Sequence, residues 1–195
     1  MKATLAKIIR TLTVPPVMAA LLLSAIQVFR PDFYGSVLNF LISLATIALF
    51  PLLAYPLQRF IPPFKHEGRE GQRRLAILLS NVGYILGLIC VFFTAHTQER
   101  LILHLTYFLS GVLIYVFNHF VKVRASGHAC GAAGPVAAMI WLFGWPALAM
   151  LAVLACVYWA SLSMKRHTLP ELLWGSSLPV TSLFLSFLLV GIFSF

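Results

Sequence analysis

The chain has 195 residues, of which 61% are hydrophobic and only 10% are charged, with a mean hydropathy of +0.94. A soluble domain of this length carries roughly a quarter charged residues, so composition excludes an ordinary globular domain and points to an integral membrane protein. The net charge of +9, from 14 basic and 5 acidic residues, lies between apolar runs, which favours anionic lipid head groups over nucleic acid as the partner.

In chain order, a basic amphipathic start carries Lys2, Lys7 and Arg10. The first apolar run, Val14 to Phe29, is short enough to be re-entrant or interfacial. No small-residue cleavage site follows before Arg30, so no cleavable signal is expected. Runs from Gly35 to Leu57, Leu75 to Thr94 and Leu101 to Val121 come next. A fifth, Ala129 to Phe143, is short and rich in small residues. The sixth runs from Pro146 to Leu162 and the last from Leu169 to Phe195.

Every run reaches helical length, whereas a membrane barrel needs short alternating segments. The expected fold is all-α: a polytopic bundle of six or seven transmembrane helices forming one integral membrane domain over residues 1–195. Nothing in the sequence specifies an oligomeric state. Cys90, Cys130 and Cys156 fall inside apolar runs without metal-ligand spacing, and are expected to pack as small hydrophobes. With no HExxH and no paired CxxC, neither a metal nor a cofactor is expected.

Three polar islands interrupt the runs. Lys65 to Arg74 is the first, Lys122 to His128 the second and Lys165 to Glu171 the third. Two spans separate each from the next, so all three lie on one face, and the N-terminus joins them if the first run crosses. The other face has only Arg30, Asp32, Glu99 and Arg100 as formal charges. Counting positives would put the charged face in the cytoplasm, but cations kept for phosphate chemistry do not report orientation.

The first island reads either as a solvated loop with snorkelling anchors or as a phosphate clamp. In the second reading, Lys65, Arg69, Arg73 and Arg74 grip phosphate oxygens, arginine doing so bidentately. In the second island, Ser126 could cap a helix while Gly127 lets a ligand approach the backbone closely. The amides of Gly127 and His128, with Lys122 and Arg124 beside them, then form an anion site at a helix start. In the third, Thr168-x-x-Glu171 reads as a capping box. Glu171 is also one helical turn from His167, close enough to fix its tautomer and free the other ring nitrogen to attack. His96, His104 and His119 are scattered and are read as core or interfacial residues.

Two histidines and several cations on one membrane face suit metal-independent phosphoryl transfer. Here the chain resembles the type 2 phosphatidic acid phosphatase superfamily. Ser126-Gly127-His128 is similar to its Ser-Gly-His triplet, and His167-Thr168-Leu169-Pro170-Glu171 to its His-x-x-x-Asp motif, with Glu for Asp. The resemblance covers about Lys65 to Gly175, with a phosphatase-like core over residues 59–195.

The resemblance implies roles: His167 as nucleophile forming a phosphohistidine, Glu171 orienting it and His128 as general acid. Ser126 and the Gly127 amide would hold phosphate oxygens, with Arg124, Lys122, Arg73, Arg74, Arg69, Lys65 and Arg166 as surrounding cations. It implies a membrane lipid phosphate or polyprenyl diphosphate as substrate, in a bacterial or archaeal cell membrane. Besides that Glu, and the two spans between the first and second islands where many members have one loop, two features depart from the pattern. No Arg-Pro follows Lys65, and Ser161 stands six residues before His167, where the family carries arginine. The second departure motivates an alternative: a catalytically impaired relative that binds or moves a lipid phosphate. A membrane scaffold anchored by its cations is a third reading.

Overall fold

In a computed structural model of the chain, the described residues are 2–94 and 97–193. His96 and the last two residues of the seventh apolar run lie outside them. The described residues form helices and no strands. Helix α1 spans Lys2–Leu12 and α2 spans Pro15–Phe29. The next four are α3 (Val37–Leu57), α4 (Gly68–Phe93), α5 (Gln98–Val121) and α6 (Gly127–Phe143). Two more follow, α7 (Trp145–Ser163) and α8 (Leu169–Phe193).

Five of these are long and apolar enough to cross a membrane. The α1–α2 pair, bent by 56°, makes a sixth if counted as one span. The bend has a covalent cause. Pro15 and Pro16 cannot donate into the preceding turn, and Val14, lying before a proline, is extended. Leu21, Phe92 and Phe184 are among many large apolar side chains that face outward. Such a belt suits lipid and not water, so the chain is an integral membrane protein.

At 17 residues, α6 is shorter than the five spanning helices, about 25 Å long at 1.5 Å per residue. It turns at Gly144, whose positive φ of 71° suits glycine, into α7. The pair forms a hairpin that leaves and returns to one end of the bundle. Three long-range bonds at that end fix this: Thr13 to His128, Arg10 to Ser161, and the Ser126 amide to the Glu171 carbonyl. At the opposite end, Arg30 pairs with Glu99 at 3.0 Å.

Helix α8 packs between α5 and α6, α1 packs on α7, and α2 packs on α6 and α3. Two glycines let backbones come close. A Cβ on Gly131 would lie 2.3 Å from Pro15, and one on Gly175 would lie 2.4 Å from the Ser126 carbonyl oxygen. The first contact seats the start of α2 against α6, and the second seats the start of α6 against α8. The basic-island helix α4 instead packs on α5 and α3.

Candidate active site

The segment from Lys122 to Ser126 links two helices, and Asn118 braces it. The Asn118 side-chain amide donates to the Ala125 carbonyl at 3.3 Å, and its oxygen accepts from the Ala125 amide at 3.0 Å. Lys122 takes a left-handed conformation, φ 57°, which ends α5 and turns the chain toward Arg124. Ser126 is fully buried and caps α6, its Oγ accepting from the Ala129 amide at 3.3 Å. The amides of Gly127 and His128 at the start of α6 have no protein acceptor among the described residues. Gly127 is exposed, and a Cβ there would meet only the tip of Ile114 at 3.7 Å.

The third island also folds for a local reason. Helix α7 ends at a left-handed Lys165, φ 50°, and the Arg166 amide bonds back to the Ser161 carbonyl at 3.0 Å. That turn swings Arg166 and His167 toward the start of α8. Glu171 Oε2 accepts from the Thr168 amide at 3.2 Å and from His167 Nδ1 at 2.8 Å. An ionised carboxylate only accepts, so the imidazole proton lies on Nδ1 and Nε2 keeps its lone pair. The second Glu171 oxygen faces Arg124 Nε at 3.6 Å.

These groups frame an open cleft of about 330 Å³, lined by Arg124, Lys165, Arg166, His167, Thr168 and Glu171, with Leu162 at its apolar side. Three cations there face one carboxylate, which already serves His167 and Arg124. Burial holds the His167 pKa below the ordinary imidazole value. Its bond to the Glu171 carboxylate works the other way, and the charges of Arg10 and Arg124 add to the lowering. His167 is therefore neutral at neutral pH.

Two residues reach this site that the sequence reading left out of it. Arg10 on α1 donates from Nη1 to Ser161 Oγ at 3.0 Å, and Ser161 is fully buried. Thr13, at the α1–α2 bend, lies 3.2 Å from His128 Nε2. The Thr13 hydroxyl proton is committed to the Ile9 carbonyl at 2.7 Å, so its oxygen accepts from His128 and the imidazole proton lies on Nε2. The only sequence signal for either was the spacing. Positions 10 and 13 share one face of the basic amphipathic start.

The first island stands apart. Arg74 pairs with Glu67 at 2.8 Å and Arg73 with Glu70 at 3.7 Å, both exposed. None of Lys65, Arg69, Arg73 or Arg74 lines the cleft, because α4 is held on α5 and α3 and not on the helices that build it. His119 stacks on Tyr115 at 4.3 Å, and His104 is buried with Nδ1 on the Arg100 carbonyl. Among the described residues, no group of three or more His, Cys, Asp and Glu side chains could hold a metal ion. No family model, curated protein or solved structure matches this chain.

Proposed function

We propose that this protein is a membrane phosphatase that removes phosphate from a lipid phosphate or a polyprenyl or lipid diphosphate without a metal, through a phosphohistidine. One observation carries the reading. His167 is held by Glu171 with its free Nε2, in a cleft where three cations face one carboxylate. A neutral, oriented imidazole is a nucleophile, and the cations suit the equatorial oxygens of a transferring phosphoryl group.

The chemistry balances as follows. Nε2 of His167 attacks phosphorus, forming the P–N bond as the P–O bond to the lipid breaks. His128 acts as the imidazolium: its Nε2–H stays on Thr13 and its Nδ1 gives a proton to the leaving oxygen. Water then attacks phosphorus and returns a proton to His128 Nδ1, the P–N bond breaks, and phosphate leaves. Arg124, Lys165 and Arg166 bind the oxygens, and the free amides at the start of α6 add the helix dipole. The membrane served would be that of a bacterial or archaeal cell.

The test is phosphate release from a micellar lipid phosphate in chelator. His167→Ala should lose at least about 10³-fold in turnover, and with it any acid-labile phosphate trapped on the protein. Equal turnover in wild type and His167→Ala would overturn the reading.

A second reading, a relative that binds or moves a lipid phosphate without turnover, is favoured by one observation. The position six residues before His167 is Ser161 and bears no charge of its own. Saturable binding with no phosphate released from any lipid monophosphate or diphosphate would select it.

A further inference from the structure

The inference concerns the N-terminal helix and rests on the phosphate-site reading above. Arg10 projects from α1 to Ser161, whose carbonyl also accepts from the Arg166 amide one residue before His167, and three residues on Thr13 meets His128. Among the described residues, no carboxylate lies within ion-pair distance of Arg10. Among the described residues its one hydrogen-bond partner is the buried hydroxyl of Ser161, which engages Nη1. A guanidinium has five donors, so its remaining edge is unspent.

Like charges at contact range repel by roughly a few kcal/mol near a protein surface. A half-buried arginine beside a second arginine attracts an anion to the space between them. Arg10 acts electrostatically on both His128 and His167. One turn further on, Thr13 holds His128 from the same helix face.

We propose that α1 completes the phosphate site: Arg10 contacts the phosphoryl oxygens directly, Ser161 positions Arg10, and Thr13 positions His128 with its proton on Nε2. The substrate phosphate is then gripped between α1 on one side and the α7–α8 turn on the other. Arg10 is the substrate-contacting residue. Ser161 and Thr13 act only through Arg10 and His128.

The test uses the full-length protein in detergent, with turnover of a short-chain lipid phosphate and its binding by calorimetry both measured. Arg10→Ala should lose about 10²-fold in kcat/KM and weaken binding of the lipid phosphate. Free guanidinium ion should restore part of the turnover, which a packing defect would not allow. Arg10→Lys should be intermediate, because the charge stays and the planar fork goes. In Arg10→Ser with Ser161→Arg, the guanidinium is delivered from α7 and activity should return above that of Arg10→Ser alone. Ser161→Ala should raise KM more than it lowers kcat.

The two readings fail separately. If His167→Ala abolishes turnover while Arg10→Ala changes neither binding nor kcat/KM, the role of Arg10 is overturned and the phosphatase stands. If wild type binds lipid phosphate without turnover and Arg10→Ala loses that binding, the phosphatase fails and Arg10 stands. Absence of both binding and turnover in wild type overturns both. Loss in Arg10→Ala with no guanidinium rescue and a lowered melting temperature overturns the Arg10 role alone.

Discussion

The backbone amide of Ser126 donates to the backbone carbonyl of Glu171 at 2.9 Å, tying the start of α6 to the first turn of α8. That bond joins the segment carrying His128 to the segment carrying His167.

The glycine one turn after Glu171 makes the bond possible. A Cβ at Gly175 would lie 2.4 Å from the Ser126 oxygen and 3.0 Å from its nitrogen, closer than real contacts allow. Gly175→Ala should therefore destabilise by about 1–3 kcal/mol and reduce phosphate release by separating the two segments. Gly191→Ala, on the same helix with nothing within 4 Å, is the control and should not destabilise. Thermal melts in detergent compare the two, and equal melting temperatures would remove the proposed tie.

Gly127 poses the opposite case. A methyl group there has room inside the protein, meeting only Ile114 at 3.7 Å. What it would crowd is the open space before the α6 amides. Gly127→Ala should keep stability within about 0.5 kcal/mol of wild type while weakening lipid phosphate binding. Unchanged affinity would mean that no oxyanion approaches that backbone.

The pH profile has a definite sign. His167 attacks only when neutral, and burial in this cleft, together with Arg10 and Arg124, lowers its pKa below the ordinary 6.5. Activity should therefore persist below pH 6.5 and fall as pH drops through the folded-state pKa. Arg124→Gln removes a cation that lowers it, so the acid limb should move to higher pH. Glu171→Gln removes the anion that raises it, so the limb should move to lower pH, with a loss in rate from the freed ring. Limbs moving in one direction for both variants would contradict the arrangement.

The first island supplies a negative prediction. Arg74 and Glu67 form an exposed pair on α4, away from the cleft. Arg74→Ala should cost less than about 1 kcal/mol and leave phosphate release within about twofold of wild type. A drop comparable to that of Arg10→Ala would return the first island to the site.

The helices were legible because a bilayer enforces them: any long apolar run must satisfy its backbone internally. Their starts were less so. Helix α4 begins at Gly68 rather than Leu75, since arginines with intact backbone donors continue a helix into the interface as readily as leucines do. The contents of the cleft divided the same way. His167 and Glu171 are four apart on one turn, so their pairing is a local property. Asn118 gave no signal, because its role is to brace a loop seven residues on.

Sequence alone thus determined the membrane class, the helical runs and the geometry within each polar island, all of which follow from local periodicity and solvent. Tertiary structure decided which islands meet. It sent Arg73 and Arg74 outward with α4 and brought Arg10 to Ser161 across 151 residues. The reason is that helix packing, set here by Gly131 against Pro15 and Gly175 against Ser126, carries information between segments that no single run contains.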